Sequence, residues 1–98
     1  KEAQEYVAKL PAGESVDPAT LLNIGIKYYN DGKMAEALTE FEKVVKENPS
    51  LPDAYYYRGL AYLASGKSAE AKADFQKLLE LDPKHVNADE AREFLKSM

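Results

Sequence analysis

Cysteine and tryptophan are absent from this 98-residue chain, and histidine occurs once, at His85. Without cysteine there is no disulfide framework, no thiolate nucleophile and no Cys-based zinc site. A single histidine leaves no two-histidine metal motif. No apolar run approaches the roughly 18 residues that a membrane span needs, so membrane insertion is not expected. Charge of one sign does not accumulate either. The net charge of −4 is spread along the whole length, with no basic stripe for nucleic acid and no acidic tail. What remains is 45% apolar and 31% charged residues, the balance of one folded domain with a modest core. The chain opens at Lys1 and lacks a charged-then-apolar leader. It therefore reads as a piece or processed form of a longer protein, and its compartment is left open.

The positive signal is internal. Sliding the chain against itself by 34 residues lays 18–51 on 52–85 with 11 identities, where chance supplies about two. The pairs are Pro18/Pro52, Gly25/Gly59, Tyr28/Tyr62, Gly32/Gly66, Lys33/Lys67, Ala35/Ala69, Glu36/Glu70, Ala37/Ala71, Phe41/Phe75, Lys43/Lys77 and Pro49/Pro83. Leu21/Tyr55, Ile26/Leu60 and Val44/Leu78 keep their apolar character.

Punctuation within each unit predicts its shape. Asp17-Pro18 is an N-cap followed by a proline where a helix tolerates one. That helix runs to Asn30–Asp31, and Gly32 supplies a positive-φ residue past its end. A second helix starts near Lys33–Met34 and stops before Pro49, which disfavours helical geometry at Asn48. Ser50-Leu51-Pro52, Ser65-Gly66 and Asp82-Pro83 repeat the scheme. Each unit is a helix–turn–helix hairpin, and no strand-like alternation occurs.

These residues resemble the tetratricopeptide repeat family. Gly25 with Tyr28, and Gly59 with Tyr62, match its first-helix signature. Ala37, Phe41 and Pro49, and Ala71, Phe75 and Pro83, match its second helix and closing proline. Leu21 and Tyr55 stand at the aromatic position that opens the signature, a mild departure, and Arg58 stands where the first unit has Ile24. The resemblance implies an all-α, right-handed solenoid of helical hairpins. Its small residues let helices approach while Phe41, Phe75 and the tyrosines fill the space between.

The flanks extend the pattern. Ala3, Val7 and Leu10 sit at helical spacing, so 1–17 is read as a degenerate half-repeat helix plus linker. Repeat 1 is then 18–51 and repeat 2 is 52–85. Asn87 with Glu90 resembles a capping box opening a terminal helix in 86–98, whose apolar stripe is Ala88, Ala91, Leu95 and Met98. Polar Glu93 and Lys96 at the repeat's Gly and Tyr positions suit a cap facing water.

Two stripes run along the first helices. Leu21, Ile24, Gly25 and Tyr28, then Tyr55, Gly59 and Tyr62, are expected to be buried. By family geometry the other stripe lines the concave surface: Leu22, Asn23, Ile26, Tyr29 and Asn30, then Tyr56, Tyr57, Leu60 and Leu63. An apolar, tyrosine-bearing groove with amide groups suits a protein or peptide partner. Some family members clamp a chaperone's terminal carboxylate with cationic side chains. The matching positions here are Leu22, Ile26, Tyr57, Asn87 and Ala91, none cationic, so a chaperone co-factor is not expected.

Catalytic readings fail one by one. His85 follows the Pro83 turn and is read as a solvated linker residue. Glu36 with Glu40, and Asp89 with Glu93, read as solvated i,i+4 faces. No glycine run cradles phosphate, and Asp31-Gly32 lacks the alternating oxygens of a calcium loop. No enzyme, cofactor or metal site is expected. Besides partner recognition, two other roles fit: a structural spacer that self-associates, or a regulatory module of an enzyme lying outside these residues.

Overall fold

A computed structural model describes residues 17–98. Five helices follow in order: α1 (Pro18–Asn30), α2 (Met34–Glu47), α3 (Pro52–Ala64), α4 (Ser68–Leu81) and α5 (Ala88–Ser97). Among the described residues there is no strand. α1 packs on α2 and α3 on α4 as hairpins. α2 then packs on α3 and α4 on α5, so the hairpins stack in one direction. The half-repeat expected over 1–17 lies outside the described residues but for Asp17.

Both hairpin turns are built alike. Gly32 and Gly66 adopt φ of 80° and 79°, the left-handed region that costs a residue with a Cβ. Behind each, crossed hydrogen bonds close the helix end. Lys33 N–H donates to the Tyr28 carbonyl at 2.8 Å and Gly32 N–H to Tyr29 at 3.0 Å. Lys67 to Tyr62 at 2.8 Å and Gly66 to Leu63 at 3.1 Å repeat this Schellman arrangement. The starts of the helices depart from expectation. Asp17 is the N-cap of α1, but its side chain makes no capping bond. Its carbonyl accepts from Thr20 and Leu21 instead, as fits an entry led by Pro18, which has no N–H to offer.

The core follows the repeat. Ala37, Phe41 and Val44 of α2, and Ala71, Phe75 and Leu78 of α4, are fully buried. The reason for glycine at 25 and 59 is the ring opposite. A Cβ on Gly25 would lie 2.4 Å from Phe41, and one on Gly59 2.8 Å from Phe75. Each hairpin thus closes by a helix backbone resting on a phenyl face.

α5 uses a different device. Ala88 and Ala91 are buried as expected, but Met98 is exposed, and the large anchor is Phe94, which sequence reasoning passed over. Its ring stacks on Phe75 with centroids 5.0 Å apart and an interplanar angle of 15°. Glu93 and Lys96 are exposed, as is Arg92, which bonds Asp89 and the Pro83 carbonyl, both at 2.9 Å. The capping box does not form: Asn87 donates its side-chain amide to Glu90 rather than accepting a backbone N–H.

Candidate peptide-binding groove

The first helices α1 and α3 lie beside one another, and α5 follows α3 across a bond from the Tyr56 hydroxyl to the Glu90 carboxylate. Helical spacing brings Ile26 and Tyr29 of α1 and Tyr57, Leu60 and Leu63 of α3 to half-buried positions, each packed on the core beneath. Asn23 and Asn30 are exposed beside them. Tyr57 bridges the two repeats: its ring stacks on Phe41 at 6.1 Å and meets Tyr56 edge-on at 5.1 Å.

Two expected groove residues belong to the interior. Leu22 is 7% exposed and packs with Phe41, Val44 and Ala54. Tyr56 is 6% exposed and packs with Phe75 and Ala91. Both sit on the side of their helix that faces the following repeat, so the next first helix covers them. Burial, and then the bond to Glu90, push the Tyr56 phenol well above its usual range. The opposite correction applies to Ile24, expected in the buried stripe and found 39% exposed. Leu21 and Tyr28 are only partly buried.

His85 is not a solvated linker residue. Its side chain is 9% exposed, and Nε2 contacts the Asp53 carboxylate. Its Nδ1 accepts the Asn87 N–H at 3.0 Å, which assigns the proton of the neutral ring to Nε2. With Tyr56–Glu90, this contact fastens the start of α5 to α3.

The largest polar feature escaped sequence reasoning. Arg58 donates from Nε and Nη2 to the two carboxylate oxygens of Asp74, at 2.8 and 2.7 Å. Asp74 is 3% exposed. The guanidinium also lies over the rings of Tyr55 and Tyr62, 5.7 and 5.6 Å from their centroids. The hydrogen bond from Arg58 to Asp74 holds the guanidinium charged, raising it above its usual value. Burial raises the Asp74 carboxyl, and the bonds from Arg58 offset that only in part. Desolvation likewise raises Tyr62. A signal was available: under the same 34-residue shift Arg58 replaces the apolar Ile24 while Asp74 keeps the carboxylate of Glu40, so one repeat gains a cation to match its acid.

Among the described residues no cation stands at the groove positions. Of the carboxylate-clamp positions, Leu22 and Ala91 are buried, and Ile26, Tyr57 and Asn87 are half-buried and uncharged. Among the described residues no cluster of three or more His, Cys, Asp or Glu side chains could hold a metal. No described helix is long and apolar enough to cross a membrane. A shallow cavity at the α2–α3 turn, lined by Asn48, Pro49, Ser50 and Leu51, shares no residue with the groove.

Stacked helical hairpins closed by glycine on phenylalanine define an all-α solenoid repeat protein. Comparison with known families names the repeat. A tetratricopeptide repeat model matches residues 52–85 and a TPR repeat model matches 25–66. The chain belongs to the tetratricopeptide repeat family, whose domains are in general non-catalytic interaction modules. Among solved structures it is similar to one described as the first TPR of Spaghetti (RPAP3) bound to HSP90 peptide SRMEEVD. The TM-score is 0.73 and the identity 33%, over 83% of this chain and 65% of that one. The match thus spans just under two thirds of that neighbour. No curated protein matches the chain by sequence.

Proposed function

We propose that this chain is a non-enzymatic recognition module that holds a protein or peptide segment along α1 and α3. The observation that carries the reading is the row of half-buried apolar side chains, Ile26, Tyr29, Tyr57, Leu60 and Leu63, on adjacent first helices. Each is anchored below by the core, so a ligand meets rigid apolar contacts that lose little entropy on binding. Asn30, exposed beside Tyr29, can pair with a ligand's backbone. A similar TPR domain binds a short peptide, which supports the same use here.

A small two-repeat surface sets micromolar affinity for a short peptide. Peptide-display selection on wild type and on a Leu60→Glu variant tests the reading, with circular dichroism confirming equal helicity. Binders recovered on wild type and lost on the variant support it. Identical recovery on both removes the groove from the function. A mass that grows with concentration would favour the self-associating spacer instead.

A further inference from the structure

Resting on the groove reading above, we infer the charge of its ligand: an apolar segment bearing lysine or arginine, bound without a terminal carboxylate. The inference comes from where the first helices put their charges. Their cations are Lys27, Arg58, Arg92 and Lys96. Arg58 points inward and is consumed by Asp74. Arg92 and Lys96 correspond by the repeat to Arg58 and Tyr62, off the groove face, and pair with Asp89 and Glu93 along their own helix. Lys27 corresponds to Ala61, which is fully buried against the preceding hairpin. Lys27 therefore lies on the face of α1 turned away from the following hairpin.

The carboxylates are distributed differently. Asp53 and Glu90 stand at the α3–α5 junction beside Tyr56. Half of the Asp53 side chain is open to solvent. Glu90 is exposed, and its partners Tyr56 and Asn87 are neutral. Among the described residues Asp53 meets the His85 ring, whose Nδ1 accepts the Asn87 N–H. Neither carboxylate has a lysine or arginine partner among the described residues. Two carboxylates without a lysine or arginine partner thus border an apolar groove that, among the described residues, has no cation. Such a field favours a cationic side chain and opposes an acidic terminus, since like charges brought together in a half-desolvated groove are repulsive. The neighbour's peptide, SRMEEVD, has the wrong sign for this surface.

The test is selection from a display library of heptapeptides, presented with free and with amidated C-termini, on wild-type protein and on Asp53→Asn/Glu90→Gln. Wild type is expected to recover apolar sequences enriched in lysine and arginine, indifferent to amidation. Replacing the basic residue of one such peptide by glutamate should weaken binding about tenfold in fluorescence anisotropy, a readout that leaves the protein untouched. The double variant should keep the apolar preference and lose the basic one; Asp53→Asn alone should lose part of it, should the double variant fold poorly. Recovery of acidic or free-carboxylate sequences by wild type overturns the charge inference. So does a basic preference that survives both substitutions. Those results leave the groove reading standing, because only indifference to Leu60→Glu removes the groove itself.

Discussion

The two repeats share their glycines, their phenylalanines and their turns, yet four positions related by the same shift are arranged differently, although Tyr28/Tyr62 is identical and Glu40/Asp74 keeps its charge. In repeat 1 they are Leu21, Ile24, Tyr28 and Glu40; in repeat 2 they are Tyr55, Arg58, Tyr62 and Asp74. Repeat 2 buries an ion pair between two tyrosine rings, and the Tyr55 hydroxyl reaches back 2.8 Å to the Pro49 carbonyl. Repeat 1 leaves Ile24 exposed and lets Glu40 pair with Lys43 on the same helix at 3.4 Å. The glycine–phenylalanine contact therefore suffices to close a hairpin. The flanking slot accepts the arginine of repeat 2 because Asp74 pairs with it there, a buried charge being costly chiefly when unpaired.

A second difference concerns what stacks on each hairpin. The face of α3 turned to the preceding hairpin carries Ala54, Tyr57 and Ala61, all packed into its core, while the matching residues of α1 are Thr20, Asn23 and Lys27, all exposed. Phe41 is covered by Tyr57 and Phe75 by Phe94 and Tyr56. Truncation should expose that asymmetry most strongly. Phe41→Ala and Phe75→Ala should each cost about 3–5 kcal/mol, a large share of the stability of a domain this small. Phe75→Ala should be the worse of the two, since it also removes the seat of α5. Urea unfolding followed by circular dichroism decides it, and equal losses would mean that the Phe94 stack contributes little.

The ion pair comes next. Arg58→Ile copies repeat 1 at one position only and strands Asp74 in the interior, for a loss of about 3–5 kcal/mol. Arg58→Met with Asp74→Leu removes both charges and should restore most of that stability. Ile24→Arg in repeat 1 sharpens the comparison from the other side. Glu40 waits at the matching position, so this substitution should change the thermal midpoint little.

How much of this was legible in the sequence follows from what a repeat shift can see. Gly32, Gly66, Phe41 and Phe75 stand at fixed offsets and answer to local rules of turn and close approach, so both hairpins could be read directly. The groove was read less well because helical spacing gives a face and not its neighbours. Leu22 and Tyr56 share the stripe of Ile26 and Leu60, but they lean toward the next hairpin and are covered by it. The Asp53–His85 contact spans 32 residues and depends on how α5 docks, which no period of 34 encodes. Phe94 was missed for the same reason, since α5 anchors itself through Phe94 instead of repeating Tyr57.

Glycine substitution sets a finer contrast. Alanine at either position gains up to about 1 kcal/mol in helix propensity but drives a methyl into a buried ring. The approach is closer at Gly25 than at Gly59, 2.4 against 2.8 Å. Overpacking of this kind costs about 1–3 kcal/mol. Gly25→Ala should therefore lie at the upper end and Gly59→Ala at the lower, read as a difference in thermal midpoint.

The smallest effect tests the seam between repeat 2 and α5 through its titration. Burial lifts the Tyr56 phenol above its ordinary value, and that of Tyr62 with it. A group whose folded value is raised gives stability that is complete below the unfolded value, about 10 for tyrosine, and is lost as pH rises from there through the folded one. Each such phenol can remove at most about 1.4 kcal/mol per pH unit in that window. Denaturant melts between pH 8 and 11 should therefore show stability falling above pH 10. In Tyr56→Phe the slope should be shallower, with Tyr62 supplying what remains. The same variant should cost about 0.5–1.5 kcal/mol at pH 7, where the phenol is intact and only its bond to Glu90 is lost. An unchanged alkaline slope in Tyr56→Phe would mean that this hydroxyl stays in contact with water and that α5 is held to α3 by Phe94 and His85 alone.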